Sequence, residues 1–114
     1  MNQRTPADLE AEILRKTWFY RYRLPSGAET ASYDGGVLDA IHDTRIRMMD
    51  AALAPHYGNG LAGKTAVDLA CHQGYFATEL AKRGCSRVLA VDARQEHFDD
   101  TRLIATALGL PAVE

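Results

Sequence analysis

The sequence has little of what would announce a specialised environment. Its 114 residues include only two cysteines, Cys71 and Cys85, and neither falls in a Cys-x-x-Cys or His/Cys spacing able to wrap a metal ion. A multi-bridge disulfide framework is excluded, a zinc site has no support, and both thiols are expected to be reduced and the protein cytoplasmic. Charge of one sign is also missing, because 13 lysines and arginines face 15 aspartates and glutamates for a formal net charge of −2. Global electrostatics therefore gives no reason to expect nucleic acid or an anionic membrane as partner. No apolar stretch approaches the roughly 20 residues of a membrane span, and MNQRTPADLEAEILRK holds no apolar run of signal-peptide length. Internal repeats and low-complexity segments are absent as well.

What is there is a chain of one-domain length, read in two parts. Pro6 followed by ADLEAEILRK predicts a helix with proline in its first turn, Leu9 and Ile13 along one face, and an end near Thr17. WFYRYRLPSG then alternates, with Trp18, Tyr20, Tyr22 and Leu24 on one side and Phe19, Arg21 and Arg23 on the other. That period of two before a Pro-Ser-Gly turn predicts a strand, one arm of a hairpin returning through ETASY. After DGG, the segment from Val37 to about Ala54 places Leu38, Ile41, Met48 and Ala52 on a helical stripe closed by Pro55. Arg45 falls within that stripe, where its stem would cover apolar surface.

The pattern changes near residue 60. TAVDLA is a short apolar strand, GYFATELAKRG a helix, RVLAVDA a second strand and EHFDDTRLIATALG a second helix, after which PAVE opens a third strand. Strands apolar on both faces and separated by one helix predict parallel neighbours joined by right-handed crossovers. The expected fold class is therefore α/β, a partial Rossmann-like parallel sheet of the first two to three strands. Residues 1–59 form a helix and β-hairpin preface to it, and 60–114 the nucleotide-binding part.

In such a sheet ligands bind beyond the carboxyl ends of the strands, which places the loop of AVDLACHQGYF at the site. Gly74 stands where the backbone turns into the helix and would let a ligand approach the main chain. Asp92 ends the second strand, where a carboxylate can accept hydrogen bonds from both hydroxyls of an adenosine ribose. Asp68 helps to choose the cofactor. A carboxylate about 5 Å from a pyrophosphate would cost on the order of 3 kcal/mol at an effective dielectric near 20. S-adenosylmethionine brings no phosphate, and its ammonium and sulfonium groups suit an acid at that position. The isolated histidines His42, His56 and His97 suggest no site, His72 reads as a loop residue, and Cys71 as a small buried packer.

AVDLACHQGYFATELAKRGCSRVLAVDA resembles the first and second motifs of class I S-adenosylmethionine-dependent methyltransferases. In that family an acid is followed by glycines at the second, fourth and sixth positions, and a further acid ends the next strand. Asp68 matches the first acid, Ala70 and His72 stand at the first two glycine positions, Gly74 at the third, and Asp92 is the ribose acid. The WFYRYRLPSG strand and QGYF ending more loosely resemble a bacterial group related to the methyltransferases that modify the tRNA wobble uridine. The resemblance implies S-adenosylmethionine as cofactor, held by Asp68, Ala70, Cys71, Gly74, Tyr75, Asp92 and Ala93, with no metal and no membrane partner. It does not set the methyl acceptor, which is left open with a small molecule or RNA among the choices. It also implies a seven-stranded sheet of which this chain carries the beginning, with catalytic residues beyond Glu114 and unpaired sheet edges able to self-associate. Two other readings of the residues stand beside it: part of a nicotinamide-dependent oxidoreductase, and a non-catalytic interaction module.

Overall fold

The computed structural model describes residues 4–58 and 60–114, so the leading MNQ and the last residue of the preface lie outside the described residues. Helix α1 spans Pro6–Leu14 and begins with a reciprocal cap. The Thr5 hydroxyl accepts the Asp8 N–H at 3.1 Å while the Asp8 carboxylate accepts the Thr5 N–H at 3.0 Å. Ile13 ends its inward face fully buried, and Leu9 packs beside it.

The alternating segment that follows is buried as its pattern predicts: Trp18, Tyr20, Tyr22 and Leu24 lie inside and Arg21 and Arg23 outside. It is nevertheless not a continuous strand. Its bridges to the returning arm, Trp18 to Ser32 and Arg23 to Glu29, are isolated. The ladder is interrupted because the Thr30 hydroxyl, rather than a main-chain carbonyl, accepts the Tyr22 N–H at 2.8 Å.

Helix α2 spans Asp39–Tyr57, running through Pro55 instead of ending before it. Its inward residues are His42, Ile46, Met49 and Leu53, whereas Ile41 and Met48 are 50% and 65% exposed. The expected stripe thus faces solvent, and the neighbouring stripe packs inward. Two apolar stripes compete on this helix, and His42 completes the one that wins by filling a gap between aromatic rings. Arg45, on the outer stripe, reaches back to donate to the Tyr20 hydroxyl at 3.1 Å.

Strand β1 (Thr65–Leu69), helix α3 (Tyr75–Lys82), strand β2 (Arg87–Val91) and helix α4 (Gln95–Ala107) form the α/β unit. The strands pair in parallel, with Thr65 opposite Arg87 and Leu69 opposite Val91. A third strand begins on the far side of β2, where Val113 bridges Val88 in parallel and Ala90 N–H donates to the Glu114 carbonyl at 2.8 Å. This is the α/β arrangement of the first strands of a class I methyltransferase sheet.

The strands are apolar on both faces, and among the described residues helices cover one of the two. Crossovers that advance in one direction place their helices on one face. Val88 is fully buried on that face, while Val67, Leu69, Leu89 and Val91 on the other are between 41% and 74% exposed. Two apolar clusters make the core. One joins Ile13, Trp18, Tyr22 and Leu24 to Leu103 and Ile104 of α4, and the other gathers Leu61, Ala77, Cys85 and Val88 with Leu53 of α2 at its margin. Preface and α/β unit therefore share their interior.

Candidate cofactor site

The loop between β1 and α3 is shaped by backbone handedness. Ala70, His72 and Gly74 have φ of 58°, 55° and 85°, so every second residue of the loop is left-handed. These are the three positions at which the resembling family carries glycine. A left-handed non-glycine residue costs about 1–2 kcal/mol, which means that Ala70 and His72 hold the loop's shape against their own preference.

Gly74 has a different reason from the one the sequence suggests. A β-carbon there would lie 2.6 Å from Cγ2 and 2.9 Å from Oγ1 of Thr101, so the glycine makes room for α4 rather than for a ligand. Thr101, buried and unremarked in the sequence, also donates to the main-chain carbonyls of His72 and His97 at 3.2 and 2.9 Å.

Gln73 is the second residue that sequence patterning did not single out. It is 6% exposed, and its side-chain carbonyl accepts the Phe19 N–H at 2.8 Å. Its amide nitrogen donates to the Thr17 carbonyl and to Asp100, each at 3.0 Å, and the Tyr22 hydroxyl donates to its main-chain carbonyl at 3.0 Å. A buried side-chain amide two residues before an aromatic-rich helix was the available signal.

Asp92 stands at the end of β2 as expected. Its Oδ2 accepts the His72 N–H at 2.9 Å and its Oδ1 accepts the Arg94 N–H at 2.9 Å. Its carboxyl is held below the ordinary value of 3.8, chiefly by the Arg94 N–H and further by those of His72 and His97. Asp68 lies under the loop on the helix-covered face, with Oδ2 sealed from solvent and without a hydrogen-bond partner among the described residues. Burial raises its pKa, the Ala77 N–H pulls it back, and the negative Asp92 raises it again.

The remaining expected residues cluster around these two acids. Cys71 is 7% exposed, its thiol pushed up by burial, and its N–H donates to the Val91 carbonyl at 2.9 Å. Ala70 and Ala93 are exposed at the strand ends. The Tyr75 hydroxyl is pushed up to about 12, first by burial and then by Glu79, so it stays protonated at neutral pH.

The histidines do not stay apart. His72 and His97 stack with centroids 3.9 Å apart, Phe19 lies 5.6 Å from His72, and His42 lies 3.9 Å from Tyr20, which in turn stacks on Tyr75 at 4.4 Å. Of the three histidines read as isolated, only His56 lies away from this cluster. Both ring nitrogens of His42 are unpartnered among the described residues, and burial, then Arg45, lowers its pKa. Among the described residues no group of three or more acidic, histidine or cysteine side chains could hold a metal ion, and no helix is long and apolar enough to cross a membrane.

Two recesses open onto this arrangement. One of about 310 Å³ is lined by Cys71, Ala90, Asp92, Phe98 and Thr101, and one of about 180 Å³ by Tyr20, Arg21, Asp39, His42, Asp43 and Tyr75. A larger groove of about 600 Å³ runs between α1 and α4, touches no part of the loop, and is lined by charges of both signs.

No protein-family model and no curated protein matches the sequence. Among solved structures, the chain is similar to one in the Trypanosoma brucei PRMT1 enzyme-prozyme heterotetrameric complex with AdoHcy, at 28% identity and a TM-score of 0.54. The match covers 70% of this chain and 23% of that one. The likeness supports an S-adenosylmethionine-dependent methyltransferase fold over the shared part.

Proposed function

We propose that this chain carries the first half of an S-adenosylmethionine site and belongs to a methyltransferase. The observation that carries the reading is the loop, left-handed at Ala70, His72 and Gly74 and placed between two acids that end adjacent parallel strands. A structural relative from a complex with AdoHcy has a similar fold in this region.

The residues fit the cofactor. Asp92 would take the ribose hydroxyls, with Ala93 beside it, and Cys71 would wall the recess below. Asp68 presents a buried carboxylate oxygen with no partner among the described residues, and its negative potential under the loop favours an ammonium or sulfonium above it and disfavours a pyrophosphate. Ala70, Gly74 and Tyr75 would line the side facing the methionine portion. The cofactor supplies a methyl group already activated on sulfur. The protein's part is to bind and orient the reactants and to exclude water. The wobble-uridine group remains one source of acceptor, and the protein is assigned to the cytoplasm, where its two buried thiols stay reduced.

Calorimetric titration with S-adenosylhomocysteine tests this reading. The expected result is binding tighter than that of NAD, weakened in Asp92→Ala by about 1–3 kcal/mol through unmet ribose hydroxyls. Tighter binding of NAD, or an affinity untouched by Asp92→Ala, would reject it. The exposed Val67, Leu69, Leu89 and Val91 face favours a second reading, an interaction module, which indifference to both cofactors would support.

A further inference from the structure

The hairpin and the loop meet through one side chain. Gln73 sits between left-handed His72 and left-handed Gly74, and three of its hydrogen bonds leave the loop for the segment Thr17–Tyr22. A fourth reaches Asp100 on α4, which Lys16 at the end of α1 also contacts at 3.1 Å. The Gln73 N–H turns to His72 Nδ1 at 2.9 Å, so its main-chain and side-chain polar groups are all engaged. Phe19 is thereby fixed beside His72, and its ring also meets those of Tyr20, Tyr33 and His42 at 4.9 to 5.4 Å.

We propose that Gln73 is a positioning residue that makes the hairpin a working wall of the cofactor site, holding Phe19 over the loop and the loop in its bound shape before any ligand arrives. The proposal rests on the S-adenosylmethionine reading above. Its physical basis is that a primary amide alone among the side chains supplies one acceptor and two donors in a plane. Here the acceptor meets a main-chain N–H and the two donors meet a carbonyl and a carboxylate. Preorganising the loop in this way removes an ordering cost from binding without Gln73 touching the ligand.

Gln73→Glu tests the clamp, because it keeps the shape and removes the donors only while ionised. Its carboxylate would face the Asp100 carboxylate and the Thr17 carbonyl, with Lys16 paired to Asp100 at 3.1 Å, and its pKa would be raised by the neighbouring carboxylate and by burial. Once protonated, the acid again accepts from Phe19 and donates once. In titrations of the 114-residue chain with S-adenosylhomocysteine, affinity relative to wild type is expected to fall on the order of tenfold or more at pH 8. It is expected to recover as the pH is lowered towards 5.5. Taking the ratio to wild type at each pH removes the pH dependence that both proteins share. A ratio flat with pH, or no loss at pH 8, overturns the proposal.

Hydrogen exchange separates this failure from failure of the cofactor reading. The Phe19 amide should lose its protection in Gln73→Ala while the Thr30 amide, bonded within the hairpin to the Tyr22 carbonyl at 2.9 Å, keeps its own. If exchange behaves so but wild type binds no S-adenosylhomocysteine, the clamp exists and its assigned role is wrong. If Phe19 exchange is unchanged, the clamp itself is wrong.

Discussion

His97 Nδ1 lies 3.1 Å from Asp92 Oδ1, occupying a lone pair that a ribose hydroxyl would need. A carboxylate offers about four acceptor positions, and the N–H groups of His72, Arg94 and His97 take three of them. Accepting both ribose hydroxyls therefore requires the His97 ring to swing away, at about the 0.5–1.5 kcal/mol of one hydrogen bond. His97→Ala is expected to tighten S-adenosylhomocysteine binding by up to about tenfold in calorimetry. A weakened complex would show instead that His97 touches the ligand.

Asp92 also has a structural role that is separable by pH. Its folded pKa is depressed below 3.8, so its stabilising contribution is present above that value and is lost as the pH falls through the lower folded pKa. Urea denaturation at pH 7 should show Asp92→Asn destabilised by about 1–3 kcal/mol, because the amide's NH₂ must face an N–H donor. The gap between variant and wild type should narrow below about pH 4 as the carboxylate protonates.

The two non-glycine left-handed residues predict opposite outcomes for the same substitution. Ala70 is exposed, so Ala70→Gly relieves backbone strain, loses little contact, and should stabilise by about 0.5–1 kcal/mol after the added unfolded-state freedom is counted. His72→Gly gains the same relief but loses the stack on His97 at 3.9 Å and the acceptor for the Gln73 N–H. It should stabilise by nothing or destabilise, as measured by the midpoint of chemical denaturation.

Gly74→Ala should be among the most damaging single-methyl changes in the chain. It forces a β-carbon to within 2.6 Å of Thr101 Cγ2 at a φ of 85°, and a loss of at least about 2 kcal/mol is expected in thermal or urea unfolding. Adding Thr101→Ala should recover part of that loss, since it removes the methyl but leaves the handedness.

The open sheet face should make the purified chain associate. We expect sedimentation to show concentration-dependent self-association in wild type, driven by Val67, Leu69, Leu89 and Val91 and by the free edge of β1. Leu69→Lys should suppress it with little change in stability, because that side chain is already 74% exposed.

The strands and helices after residue 60 were legible because short apolar runs punctuated by glycines leave little choice of element. The positions of Asp68 and Asp92 at the carboxyl ends of β1 and β2 were legible because an acid stands at the close of each apolar run. Handedness at Ala70 and His72 was not, since neither residue favours φ above zero and only the surrounding loop imposes it. The facing of α2 was misread because two stripes of similar apolarity lie side by side and a buried histidine, of all its residues, marks the inner one. The hairpin's alternation survived while its ladder did not, because a threonine hydroxyl can replace a carbonyl without disturbing which side chains point inward.

A consequence follows for how such loops vary between chains. The shape between β1 and α3 is a rhythm of chirality, left at every second step, and by physical argument any residue whose torsional penalty the turn can offset could carry it. Asparagine and aspartate should be at home at positions 70 and 72, and valine or isoleucine should not. A pattern of glycine letters meets one of these three positions in this chain, whereas the sign of the torsion is shared by all three.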